Sequence, residues 1–447
     1  MIRTKFLFVF LLALLSTTTY SQSGFNFYGS NQKVASVRFQ LINNLIVIPL
    51  DVNGQKLSFI LDSGVDKTIF FNLSEVDSLK LNSIKKITLQ GLGSGEPLEA
   101  LLSQKNNMKI NNYKSSNQDI YVILKDKFDV SGRMGVTIHG IIGQRLLKNA
   151  IVHVNYATKR IKFYNPKYFK YPKCRKCETF PLEFFRNKPY INTKVQLDTI
   201  GNTLTDVKLL IDTGGSGAIW LFENSKKEIK TPINYFRDIL GEGLSGTIYG
   251  NKSRIKNITL GKYKIKNPTV SFLDSTSTLF ARRFKKRNGS VGGNILKRFK
   301  LWIDYPNKKI TLKKNGSFRG GFEYNMTGLD VVYNGKVLVR EEESKNIIAF
   351  DIESHTTSDN TVSFVHNYTY KFKPSYKINN VLPGSPAEKA GILKGDILHK
   401  VNGVPVHQYS LRQLMNRFQE GHNKRMKIVV QRNYQFLNFR FRLVKKI

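Results

Sequence analysis

"LLIDTGGSGAIWLF", residues 209–222, is an apolar run that stops at Asp212-Thr213-Gly214 and then resumes. Both flanks read as buried strand, where a lone carboxylate is costly unless something compensates it. A second copy of the pattern, "FILDSGVDKTIFF", occupies residues 59–71.

The likeness extends beyond the acids. "HGIIGQRLLKNAIVHVNYATKRIKFY" (139–164) and "NGSVGGNILKRFKLWIDYPNKKITLK" (288–313) align without gaps. Gly140 then meets Gly289, Gly143 meets Gly292, Leu147 meets Leu296, and Asn155-Tyr156 meets Asp304-Tyr305. Asp62 lies 81 residues before Gly143, and Asp212 lies 80 before Gly292. Residues 24–165 and 178–316 therefore read as two copies of one β-rich unit. Residues 166–177, within "NPKYFKYPKCRKCETFP", join them as a proline-bearing linker.

If the copies pack about a pseudo-twofold axis, Asp62 and Asp212 meet at its centre. Two carboxyls that close cannot both ionise easily, so they share a proton. The ionised member can act as base on a water while the protonated one polarises a carbonyl. That chemistry hydrolyses a peptide bond with no metal or cofactor. Ser63 and Thr213 offer hydroxyls to bond across the interface, and Gly64 and Gly214 permit the tight loop behind each acid.

These residues resemble the aspartic proteases of the pepsin and retropepsin group. That family carries apolar-apolar-Asp-Thr/Ser-Gly and, later in each lobe, apolar-apolar-Gly before a short helix. Here the elements are Ile60-Leu61-Asp62-Ser63-Gly64 with Ile141-Ile142-Gly143, and Leu210-Ile211-Asp212-Thr213-Gly214 with Ser290-Val291-Gly292; Ser290 departs from the pattern. The resemblance implies a mostly β fold of two pseudo-symmetric retropepsin-like β-barrel lobes in one monomeric chain, an intramolecular pseudo-dimer. It makes Asp62 and Asp212 the catalytic pair of an endopeptidase acting on protein or peptide, with Ser63, Gly64, Thr213 and Gly214 as support. Two glycine-rich turns, "LQGLGSGEPL" (89–98) and "LGEGLSGTIYG" (240–250), become flaps with Leu92, Gly93, Leu244 and Ser245 at their tips. In pepsin-like enzymes a Ser or Thr often follows Asp-Thr-Gly and donates to the carboxylate. Val65 and Gly215 stand there instead, which favours activity in mild acid to neutral solution over strong acid.

The second turn also contains Gly241-x-Gly243-x-x-Gly246, but β-like residues follow where a dinucleotide site needs a helix. "RRFKKR" (282–287) reads as a solvated basic loop or, where the resemblance implies a loop lining the substrate cleft, as a preference for acidic residues near the cut or a self-cleavage point.

After residue 320 the chain changes character. "LPGSPAEKAGILKGDILHKVNG" resembles PDZ domains, which implies an α+β unit over 320–447, with a polar insertion at about 340–375. Such domains bind a chain terminus as an added strand. Thr327-Gly328-Leu329 is the candidate loop for its carboxylate.

The first 22 residues have the form of an export signal: Arg3 and Lys5, then "FLFVFLLALL", then "STTTYSQ". With no cysteine near that point, a lipoprotein is disfavoured, and no later run is long and apolar enough to span a membrane. The expected location is extracytoplasmic, periplasmic or secreted. The net charge of +39 fits a lysine-rich solvated surface or attraction to anionic polymers, and no nucleic-acid-binding motif accompanies it. Cys174 and Cys177 are the only cysteines, read as a small disulfide ring or spare thiol pair. A zinc site would need two more ligands near by, and none is suitably spaced. Gly-x-Ser-x-Gly and His-Glu-x-x-His are both missing, which disfavours serine hydrolases and metallopeptidases. The competing reading is a non-catalytic peptide- or protein-binding scaffold with inactive lobes.

Overall fold

The computed structural model describes residues 24–29, 31–72, 79–89, 98–123, 129–198, 202–243, 246–344 and 366–447. The export-signal reading of residues 1–22 lies outside them. Among the described residues no helix is long and apolar enough to cross a membrane.

Each acid follows a strand whose last three residues are all buried, Gln55–Leu61 in one case and Thr205–Ile211 in the other. Burial on both faces explains the unbroken apolar runs there, since such a strand has no solvent side to alternate toward. The same crossing is built around each. Gly140–Ile142 runs parallel to Phe59–Leu61 and antiparallel to Thr68–Phe70. Gly289–Val291 runs parallel to Leu209–Ile211 and antiparallel to Ile219–Phe222. Thr68–Phe70 is parallel to Tyr113–Ile123, and Ile219–Phe222 to Thr269–Leu273. Short helices, Gln144–Leu147 and Gly293–Leu296, follow the two glycines at 143 and 292.

These crossings lie in a nine-stranded and a ten-stranded sheet. In the first, a ladder between Leu98–Ile110 and Tyr113–Ile123 joins strands from the two sides of the sheet's path. The second has no equivalent ladder among the described residues and runs open. A six-stranded sheet links the halves by pairing Ile151–Asn155 antiparallel with Phe299–Asp304. Ile151 faces Asp304 and Asn155 faces Lys300, so the segments that align in sequence pair reciprocally, as a twofold relation requires. One apolar core runs through both halves from Phe25 to Phe322. Cys174 and Cys177 form a disulfide just before the strand Cys177–Pro181.

Residues from Tyr324 onward have their own core. Strands Leu329–Ser344, His366–Val381, Ile397–Val401, Arg425–Arg432 and Gln435–Arg442 form its sheet, with helices Pro386–Lys389 and Leu411–Arg417. Ser385 caps the first helix, and a reciprocal Ser410–Gln413 capping box starts the second. Buried Asp396 is held by Arg432 through Nε at 2.6 Å and Nη2 at 2.7 Å. The described parts of the 340–375 insertion are paired hairpin arms, reaching Ser344 opposite His366.

Candidate active site

The backbone fixes the acids before their side chains act. Asp62 N–H donates to Ile142 O at 2.9 Å and Asp212 N–H to Val291 O at 3.0 Å, tying each strand end to its parallel neighbour. Beyond them, Ser63 and Thr213 interlock across the halves. Ser63 Oγ donates to Ile211 O at 2.6 Å and accepts from Thr213 N–H at 3.1 Å. Thr213 Oγ1 donates to Leu61 O at 2.7 Å and accepts from Ser63 N–H at 3.0 Å. Both residues are buried, so four backbone groups that water cannot reach are satisfied by two hydroxyls.

This lattice brings the carboxyl groups of Asp62 and Asp212 close together while each keeps some exposed surface. Gly64 N–H donates to Asp62 Oδ1 at 2.7 Å, and Gly214 N–H to Asp212 Oδ1 at 3.1 Å. Neither glycine has a positive φ, so the loop-conformation reason expected from the sequence does not apply. Space does. A Cβ on Gly214 would lie 2.1 Å from Asp62 Cγ, and one on Gly64 would lie 3.1 Å from Asp62 Oδ1 and 3.2 Å from Asp212 Oδ1.

Loss of solvation pushes the Asp62 carboxyl up to about 7, and the charge of Asp212 adds to the rise. Asp212 is also raised by loss of solvation, but more groups oppose it: Arg287, Lys188 and the N–H groups of Gly214 and Gly215. Cations and donors thus gather on Asp212, which favours its ionised form over that of Asp62. Gly215 N–H donates to the backbone oxygen of Asp212 at 3.4 Å and also favours the ionised carboxylate.

Two of these groups escaped sequence reasoning. Lys188 starts the strand Lys188–Gln196, in what reads as an ordinary hairpin turn, yet it faces both acids. Arg287 closes the "RRFKKR" run, whose solvated reading fails at this residue. It is buried, its Nε donates to Gly289 O at 3.1 Å, and its guanidinium lies 5.0 Å from the Phe222 ring centre. Its place one turn before the Gly289 strand is the only sequence signal that could have marked it.

The expected flap tips fall outside the described residues: Leu92 and Gly93 between Leu89 and Leu98, and Leu244 and Ser245 between Gly243 and Gly246. Thr327 and Gly328 precede the first strand of the C-terminal sheet and Leu329 opens it. Leu329 N–H is already used, however, donating to Thr327 Oγ1 at 3.1 Å, and Thr327 O accepts from Ala387 N–H at 3.1 Å. A carboxylate at this loop would have to rely on other donors.

An aspartyl protease family model matches residues 48–146, which include Asp62 and Gly143, and a PDZ domain model matches residues 377–432. Among solved structures, an aspartic proteinase from Irpex lacteus is similar, with a TM-score of 0.44 and 13% identity over 64% of this chain and 99% of that one. No curated protein matches the chain.

Proposed function

We propose that this chain, which carries an aspartyl protease domain and a PDZ domain, is an exported endopeptidase working through Asp62 and Asp212. The observation that carries the reading is the close approach of the two carboxyls at equivalent strand ends, clamped by the Ser63–Thr213 lattice. In this reading residues 24–165 and 178–316 are duplicated lobes of one monomer, residues 166–177 connect them, and residues 320–447 form the PDZ domain.

A water held between the acids loses a proton to Asp212, whose charge is sustained by Lys188 and Arg287. Asp62 gives its proton to the carbonyl oxygen as the water oxygen bonds to the carbonyl carbon. The tetrahedral product then collapses, the C–N bond breaks, and the amine leaves with the proton from Asp212. Asp62 recovers its proton from the diol hydroxyl. The PDZ domain holds a peptide or protein segment and tethers substrate.

The test is hydrolysis of casein or a peptide library by the purified protein across pH, with pepstatin as a side probe. Cleavage that pepstatin blocks supports the proposal. No cleavage at any pH supports the scaffold reading instead.

The pH profile has a determined sign. The active form needs Asp212 ionised and Asp62 protonated, so the rate rises as Asp212 deprotonates and falls as pH passes about 7. A maximum in mild acid is expected; one near pH 2 would contradict the assignment. Replacing Lys188 by methionine removes a cation that favours ionised Asp212, so the acid limb should move to higher pH. An unmoved limb would remove Lys188 from the site.

A further inference from the structure

Strand Leu329–Ser344 ends the C-terminal sheet. Among the described residues it pairs only with His366–Val381, and helix Leu411–Arg417 lies against it. An edge strand beside a helix is where a PDZ domain adds a peptide strand. Here that place is taken. Helix Val130–Met134, from the protease half, packs on the same strand, and a Cβ on Gly135 at its C-terminal end would lie 3.0 Å from Leu411 Cβ.

The contact has a polar lock. Arg133 Nη1 donates to Asp330 Oδ1 at 3.2 Å and Oδ2 at 3.1 Å, and Asn379 Nδ2 donates to Oδ2 at 2.8 Å. The side chains of Arg133 and Asp330 are 24% and 22% exposed, so the pair is shielded more than a surface ion pair. The helix is anchored on its own side by buried Met134 and by Ser131 Oγ, which accepts from Ile138 N–H at 3.0 Å. Arg133 O also accepts from Asn43 Nδ2 at 3.3 Å. The protease half thus presents one arginine to the groove from a fixed platform.

We propose that the groove between Leu329–Ser344 and Leu411–Arg417 is a binding site for arginine-bearing peptide segments, read by Asp330, and that the chain's own Arg133 helix occupies it at rest. A ligand with no cation leaves the shielded Asp330 carboxylate with only the Asn379 amide to offset its charge, so apolar chain ends are disfavoured. An outside peptide must also displace a tethered competitor, whose effective concentration is on the order of millimolar. The inference rests on the PDZ reading and not on catalysis, and its readout is binding, so loss of one leaves the other testable.

The experiment uses the full chain with Asp62→Asn, so that the probe is not cut. A fluorescein-labelled peptide of residues 129–136, DVSGRMGV, is titrated and followed by anisotropy. The parent should bind weakly. Adding Arg133→Ala should tighten binding at least tenfold, while Arg133→Lys should bind as the parent does. Adding Asp330→Asn to Arg133→Ala, or placing alanine for arginine in the peptide, should abolish the gain. Equal affinity with and without Arg133→Ala, or a gain that survives Asp330→Asn, overturns the proposal. Should Arg133→Ala fail to fold, Asp330→Asn alone decides by hydrogen exchange. Amides 130–135 should exchange at least tenfold faster than in the parent, and unchanged protection would overturn internal occupancy.

Discussion

Asp62→Asn and Asp212→Asn are each expected to lower kcat for peptide hydrolysis by about 10³-fold or more while leaving the protein folded. General acid–base participation by one group is worth roughly 10²–10⁴-fold, and the proposed mechanism uses each acid in both halves of one proton cycle. The two variants should differ in stability. Loss of solvation raises Asp62 in the folded protein from 3.8 to about 7, so its protonated form is the one folding favours. A raised carboxyl contributes fully below its unfolded value, and that contribution is lost as pH climbs through about 7. Asparagine cannot ionise, so Asp62→Asn should melt no lower than the parent at pH 8, with a smaller advantage at pH 5. Asp212→Asn removes the charge that Arg287 and Lys188 face, which leaves two shielded cations without their shared partner. It should therefore melt below the parent at pH 6. Activity within tenfold of the parent in either variant would end the catalytic reading, whatever the melting curves show.

What the sequence reveals here is set by spacing, and what it hides is set by folding. Asp62 and Asp212 are legible because each sits at a strand end with a glycine about eighty residues on, and those glycines mark the strands that pair beside the acids. Ser63 and Thr213 follow from the same register. Lys188 is invisible because its neighbours are those of a hairpin turn, and only the sheet carries it to the acids. Arg287 is masked by four other basic residues within six positions. The Arg133–Asp330 contact joins residues 197 apart with no shared motif. The glycines show a subtler limit. Position 214 demands glycine because the opposite acid's carboxyl carbon fills the space, and that carbon belongs to a segment 150 residues away.

The lattice under the acids gives the second large effect. Ser63→Ala deletes one hydroxyl and strands two buried groups, Ile211 O and Thr213 N–H. At about 1–3 kcal/mol for each unsatisfied group, the variant should lose roughly 2–6 kcal/mol of unfolding free energy. Thr213→Ala strands Leu61 O and Ser63 N–H and should cost a similar amount. The two hydroxyls share no hydrogen bond, yet they brace the same pair of strand ends. The double variant should therefore lose less than the sum of the two single losses, because the first substitution already loosens the seam that the second would break. Urea unfolding at pH 6 measures all three. Activity should fall with stability, because the lattice helps to set the separation of the two carboxyls. A loss below about 0.5 kcal/mol, the scale of an ordinary surface substitution, would mean that the acids are held by something else. Read beside the asparagine variants, the result separates two roles: removing a carboxyl stops chemistry in a folded protein, whereas removing a hydroxyl weakens the seam that lets the chemistry occur.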